Sequence, residues 1–291
     1  MASALKFCAL ALLPAADGLA KGRVARVGLR VDDSVKAAAW YKDQFGLETA
    51  ACGPHCDVLF QDGFSLRMLA DGASSTYRAD ALSVYGVTLE MPRAQLDAWC
   101  AASSLPPKEL GLIASMVPDE DPYKETKIQQ AETVDAAGYR VYCVSTTADA
   151  VKAPAPKIVL VVSDLEASIK FYTEAFGLRL LRKRALLPHQ AALFGILGYS
   201  EEADATLLSS PEGADSLASP RIELRYIYNN ERVDSGVGLE DITFLAEDPA
   251  SVALAVPALG GNVTSVAGNV AKLVDPDGYK INVCAEIADL D

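Results

Sequence analysis

The stretch Lys157–Leu178, KIVLVVSDLEASIKFYTEAFGL, aligns without a gap on Arg26–Leu47, RVGLRVDDSVKAAAWYKDQFGL, 131 positions earlier. Val162 falls on Val31, Asp164 on Asp33, Phe171-Tyr172 on Trp40-Tyr41, and Phe176-Gly177-Leu178 on Phe45-Gly46-Leu47. In both copies an apolar run (Val24–Val31, Ile158–Val162) reads as a strand ending at an Asp that can cap a following helix. Helical spacing sets Val35, Ala38 and Phe45 on one face, and Ile169 and Phe176 in the copy. Gly46 and Gly177 stand just past each helix, where a left-handed backbone stops it.

Further strands follow: Leu47–Ala51, Asp57–Phe60 and Phe64–Leu69 in the first copy. In the other, Leu178–Arg182, Ala191–Leu197, Ala205–Ser209 and Ile222–Tyr228 alternate or run apolar. A second repeat matches Asp135–Val141 (DAAGYRV) to Asp275–Ile281 (DPDGYKI), and Gly86–Leu89 (GVTL) resembles Asp241–Phe244 (DITF). The chain thus reads as an α+β protein of four βαβββ modules in two tandem halves, 23–148 and 157–288. Lys152–Lys157, KAPAPK, reads as an extended linker between the halves. Pro118–Gln130 and Glu201–Pro220 read as surface loops.

The 291 residues suffice for two full cores, and 51 % apolar with 22 % charged residues is the balance of a folded protein. A net charge of −13 repels phosphate backbones and anionic lipid, which argues against nucleic acid. The one dense basic cluster, Arg179, Arg182, Lys183 and Arg184, reads as a solvated rim or a clamp for a carboxylate-bearing ligand. Six scattered cysteines exclude a disulfide scaffold, and Cys52 and Cys56, bracketing His55 in a Gly-Pro turn, read as loop residues or a local disulfide. Residues 1–22 are an N-terminal extension. Lys6, the apolar run Phe7–Leu13 and the small residues before Lys21 suit a cleaved signal of secretory or plastid type, or else an added strand, Leu5–Leu13, on a cytoplasmic protein. No segment reaches the length of a membrane span.

SDLEASIKFYTEAFGLRLLRKR, RIELRYIYN and VDPDGYKINV together resemble the vicinal oxygen chelate superfamily, and within it glyoxalase I, the lactoylglutathione lyase, in its two-domain form. The resemblance covers about residues 23–286 and implies two glyoxalase-like halves whose paired modules form curled mixed sheets, a cup around zinc or nickel. It implies four metal ligands, a His or Gln from each first strand and a Glu from each last strand, one Glu doubling as general base.

Carried over position by position, pairing the third module with the fourth puts Lys157, Glu223, Asp241 and Asn282 in one cup. First with fourth gives Arg26, Arg67, Asp241 and Asn282, and second with third gives Gly86, Tyr142, Lys157 and Glu223. None is a ligand set, since arginine never deprotonates and lysine is a cation at neutral pH. The expected function is a glyoxalase-like protein with a degenerate metal site and no cofactor, binding a small molecule in the cup or serving a protein assembly. In that reading Lys157 pairs with Glu223 or Asp241. The alternative is a metal-dependent lactoylglutathione lyase holding zinc or nickel through atypical ligands, Glu223 and Asp241.

Overall fold

The computed structural model describes residues 23–60, 63–71, 84–114, 125–146, 154–185, 192–199, 220–229, 233 and 238–290. The N-terminal expectation and the strand expected at Ala205–Ser209 lie outside the described residues, as does most of Glu201–Pro220.

Module one runs β1 (Arg23–Val31), α1 (Ser34–Phe45), β2 (Glu48–Ala50), β3 (His55–Leu59) and β4 (Ser65–Ala70). Module two is β5 (Val84–Pro92), α2 (Arg93–Ser103), β6 (Lys108–Ala114), β7 (Glu125–Val134) and β8 (Arg140–Thr146). Module three is β9 (Ala155–Val161), α3 (Leu165–Phe176), β10 (Arg179–Ala185), β11 (Ala192–Gly198) and β12 (Arg221–Ile227). Module four is β13 (Leu239–Leu245), α4 (Pro249–Ala255), β14 (Asn262–Ala267), β15 (Val270–Val274) and β16 (Lys280–Cys284). The order is βαβββ each time.

The helix boundaries follow from their caps. Asp33 and Asp164 each accept a hydrogen bond from a backbone N–H three residues on, at Lys36 and Ala167. Gly46 and Gly177 close the same helices at φ 68°, a conformation that penalises any side chain. Of the expected apolar face of α1, Ala38 is buried and Phe45 packs against the core, but Val35 does not. Ser34, Ala37 and Tyr41 are buried along with Ala38, while Val35 is 52 % exposed.

Two eight-stranded mixed sheets result, ordered β14-β15-β16-β13-β1-β4-β3-β2 and β10-β11-β12-β9-β5-β8-β7-β6. The outer strands of the second sheet meet at Arg184↔Ala114 and Ala185↔Ile113. Each sheet takes one module from each half: module one pairs with module four, and module two with module three. The expected linker also shortens, because Ala155, Pro156 and Lys157 are already part of β9, which is buried along its whole length. A strand covered on both faces carries apolar residues at nearly every position, so alternation alone does not mark where it begins.

The helix-side faces of both sheets and all four helices share one apolar cluster, from Val27, Leu29 and Tyr41 through Phe171 and Phe176 to Phe244 and Val283. Phe176 of α3 stacks on Phe244 of β13 with ring centroids 4.0 Å apart. The repeated sequence elements then meet across this core. Tyr41 donates its hydroxyl to Asp135 at 3.1 Å, and Tyr172 donates to Asp275 at 2.9 Å. Each Asp also accepts two backbone N–H bonds within its own turn, from Ala137 and Tyr139, and from Asp277 and Tyr279. Each bond ties a helix packed on one sheet to a turn of the other. Burial pushes Asp275 up to about 7 despite these donors, and raises Asp135 as well. Tyr172→Phe removes one donor to a buried carboxyl and should cost about 1–3 kcal/mol in denaturant unfolding at pH 8, where Asp275 is ionised. Tyr41→Phe should behave alike.

Candidate functional site

Strand alternation directs Thr88 and Glu90 of β5, Lys157 and Val159 of β9, and Arg221, Glu223 and Arg225 of β12 to the second sheet's cup face, away from the helices. β9 lies between β5 and β12, with Lys157 opposite Thr88 on one side and Arg221 on the other. The Lys157 ammonium therefore stands between two carboxylates, 2.9 Å from Glu223 Oε2 and 3.3 Å from Glu90 Oε1. Arg221 pairs with the far oxygen of Glu90, and Arg225 holds Glu223 Oε1 through Nε at 2.9 Å. Lys157 is 7 % exposed, Glu223 3 % and Glu90 1 %. Three cations and two carboxylates thus form one buried chain, Arg221–Glu90–Lys157–Glu223–Arg225.

Burial by itself raises the Glu223 carboxyl, but Arg225 and Lys157 outweigh it and hold the group down at about 2. Ionised Glu223 contributes stability that is present above its ordinary 4.5 and lost as pH falls through that value toward about 2. Thermal melts between pH 7 and pH 2.5 should fall more steeply for the unmodified chain than for Glu223→Gln, which has no such group to protonate.

The family's other two positions in this cup are Gly86 and Tyr142. Gly86 sits at φ 145°, and a Cβ there would lie 2.6 Å from the Arg140 carbonyl oxygen and 3.0 Å from the Tyr142 ring. No side chain fits at that position without moving backbone. Tyr142 is buried beside it.

The first sheet's cup gathers Arg26, Arg67, Asp57, Asp241, Thr243 and Asn282. Arg67 grips Asp57 with two bonds, Nε at 2.8 Å and Nη2 at 2.9 Å. Gly28 faces Asp241, Arg26 faces Thr243, and Thr243 faces Asn282 across the ladders. Burial raises the Asp241 carboxyl, opposed by Arg26, by the Thr243 hydroxyl at 3.2 Å and by Arg67. At the rim Arg30 donates through Nε to Glu240 at 2.6 Å, and Lys280 lies 3.5 Å from the same carboxylate.

The four residues Lys157, Glu223, Asp241 and Asn282 are therefore divided, the first two in one sheet and the last two in the other. Glu90, Arg221, Arg225 and Asp57 complete the two charge clusters and are not among the positions carried over from sequence. Their trace is the alternation Arg221-x-Glu223-x-Arg225 and Thr88-x-Glu90, which places each set on one strand face. In the expected rim cluster Lys183 pairs instead with Glu166 of α3. Cys52 and Cys56 form a disulfide.

Neither cup's ligand positions fit a first-row divalent metal. One holds an ammonium already shared by two carboxylates and a glycine that admits no side chain. The other holds two guanidiniums, one of them gripping Asp57. Among the described residues, both lack the neutral nitrogen donors such a site needs.

Paired βαβββ modules in two mixed sheets define a class of α+β proteins, and the comparisons place the chain within it. The sequence pattern of the Glyoxalase/Bleomycin resistance protein/Dioxygenase superfamily matches residues 155–283. A lactoylglutathione lyase of Haemophilus influenzae is 35 % identical over 130 residues, 42 % of this chain and 85 % of that one. A lactoylglutathione lyase of Oryza sativa is 32 % identical over 142 residues, 44 % of this chain and 43 % of the other. A single-substitution variant of glyoxalase I from Zea mays superimposes with a TM-score of 0.66 at 22 % identity, covering 90 % of this chain and 92 % of that one. The chain belongs to the glyoxalase superfamily. The matched stretch spans less than half the length of its plant relatives in sequence.

Proposed function

We propose that this chain is a glyoxalase I-like protein that no longer holds a catalytic metal, and that it binds a small polar molecule or serves as a non-catalytic subunit of an assembly. The observation carrying this reading is the position of Lys157, whose ammonium occupies the point between Glu90 and Glu223 where a dication would otherwise balance them. Asp241 and Asn282, only partly covered in the other cup, supply an acceptor and an amide for a small polar ligand. The names of the relatives favour a second reading, an active lactoylglutathione lyase with atypical ligands. One Arabidopsis thaliana relative carries the word chloroplastic in its name, which suits a plastid reading of residues 1–20.

Metal analysis separates the two readings. After dialysis against zinc or nickel and removal of free ion, the purified chain should retain far less than one metal per molecule. Stoichiometric metal that disappears in Glu223→Gln would establish the atypical-ligand enzyme instead.

A further inference from the structure

The turn between β2 and β3 carries a disulfide that plays no part in either cup. Cys52 and Cys56 are joined across four positions, with Cys52 exposed in the turn and Cys56 buried in β3. We propose that Cys52 and Cys56 are a reversible redox couple that exchanges with low-molecular-weight monothiols at the Cys52 sulfur.

Three observations support it. A bridge closing so short a loop removes little freedom from the unfolded chain, so it adds little to the fold. The turn is also held without it. The Ser34 hydroxyl, at the start of α1, donates to the Gly53 carbonyl at 3.0 Å, Gly53 N–H donates to His55 at 2.8 Å, and Ala70 N–H donates to Pro54 at 3.0 Å. Ala50 and Asp57 remain ladder partners just outside it. The two sulfurs thus stay neighbours when the bond opens, and the couple can close again. Accessibility, finally, is one-sided: an incoming thiolate reaches Cys52, while Cys56 is the covered leaving group.

The exchange balances. A monothiolate attacks Cys52 Sγ, the Cys52–Cys56 bond breaks, and its electron pair leaves on Cys56, which takes up a proton. A second monothiolate attacks the small-molecule sulfur of the mixed disulfide, freeing Cys52 and releasing the oxidised small disulfide. Two monothiols are oxidised, and the protein disulfide becomes a dithiol. The remaining described cysteines, Cys100, Cys143 and Cys284, are buried. Burial pushes the Cys143 thiol up to about 12 and raises Cys100, so neither supplies thiolate at neutral pH.

The test equilibrates the full native chain in buffers of graded reduced-to-oxidised glutathione ratio, followed by acid quench, alkylation and peptide-resolved mass spectrometry. The peptide holding Cys52 and Cys56 should pass between bridged and dithiol forms within that range, while Cys100, Cys143 and Cys284 stay unlabelled. Cys56→Ser, challenged with oxidised glutathione, should gain one glutathione on Cys52. Cys52→Ser should gain it on Cys56 at least about tenfold more slowly, as burial of that thiol dictates. Reduction that requires denaturant, a bridge absent from the native oxidised chain, or equal rates in the two variants would overturn the proposal. The equilibrium of the unmodified chain decides the matter even if a variant fails to fold.

Discussion

Lys157→Met should destabilise the chain by about 3–5 kcal/mol in urea unfolding, the cost of removing one partner from a buried ion pair. Methionine keeps the length of the stem but takes away the ammonium that bridges Glu90 and Glu223. Arg221 and Arg225 still hold one oxygen of each carboxylate, so the two charges then face each other across an apolar stem. The loss should shrink when Glu223→Gln is added, because the double variant no longer leaves a carboxylate uncompensated. A thermodynamic cycle over the four chains measures that coupling. A loss within a few tenths of a kcal/mol of zero would mean that the Lys157 ammonium does not balance these carboxylates. That outcome would remove the main support for the non-catalytic reading.

No lactoylglutathione lyase turnover is expected with methylglyoxal and glutathione, whether zinc, nickel or cobalt is supplied. Moving a proton between the carbons of the hemithioacetal needs a base in reach and an electrophile holding the substrate oxygens. Of the last-strand positions where the family resemblance implies a Glu, three hold Tyr142, Asn282 and Arg67, and the Glu kept at the fourth, Glu223, is held down at about 2 by Arg225 and Lys157 and is a poor base. An amide has no useful basicity, and an unactivated phenol, with a pKa of about 10, is a reluctant base. Losing a general base alone slows such a step by about 10²–10⁴-fold, and losing the metal removes several kcal/mol more of transition-state stabilisation.

Simple restoration should fail as well. Lys157→His with Asn282→Glu places its two new groups in different sheets, so metal content should stay at background. Within the second sheet's cup, Lys157→His with Tyr142→Glu still lacks the donor at Gly86, where the Arg140 carbonyl leaves no room for a side chain. Metal-stimulated turnover by the unmodified chain, abolished in Glu223→Gln, would overturn the non-catalytic reading and establish the enzyme.

The sequence by itself determined much of what depends on neighbours along the chain. Asp33 and Asp164 as caps, Gly46 and Gly177 as stops, and the fourfold βαβββ order follow from local conformational preference. So does the chemistry at the ligand positions, because Arg26, Arg67 and Lys157 are cations at neutral pH in any fold. The repeat at an offset of 131 also aligned Tyr41 with Tyr172, and the second repeat, at an offset of 140, aligned Asp135 with Asp275. That each tyrosine donates to an aspartate across the core was not visible in either.

Tertiary structure alone decided which modules pair. Strand ladders form between backbones, which carry no label of their sequence partner, and the choice falls to whichever helix-side faces bury together. Joining module one to module four and two to three split Lys157 and Glu223 from Asp241 and Asn282. The same choice brought Glu90 of β5 against Lys157 of β9, a meeting between residues 67 positions apart that no local pattern announces. The burial of Lys157 has the same origin. Read along the chain it ends a Pro-Ala linker, but in the sheet it lies on a central strand between β5 and β12, where an unpaired ammonium would be too costly to keep and two carboxylates hold it.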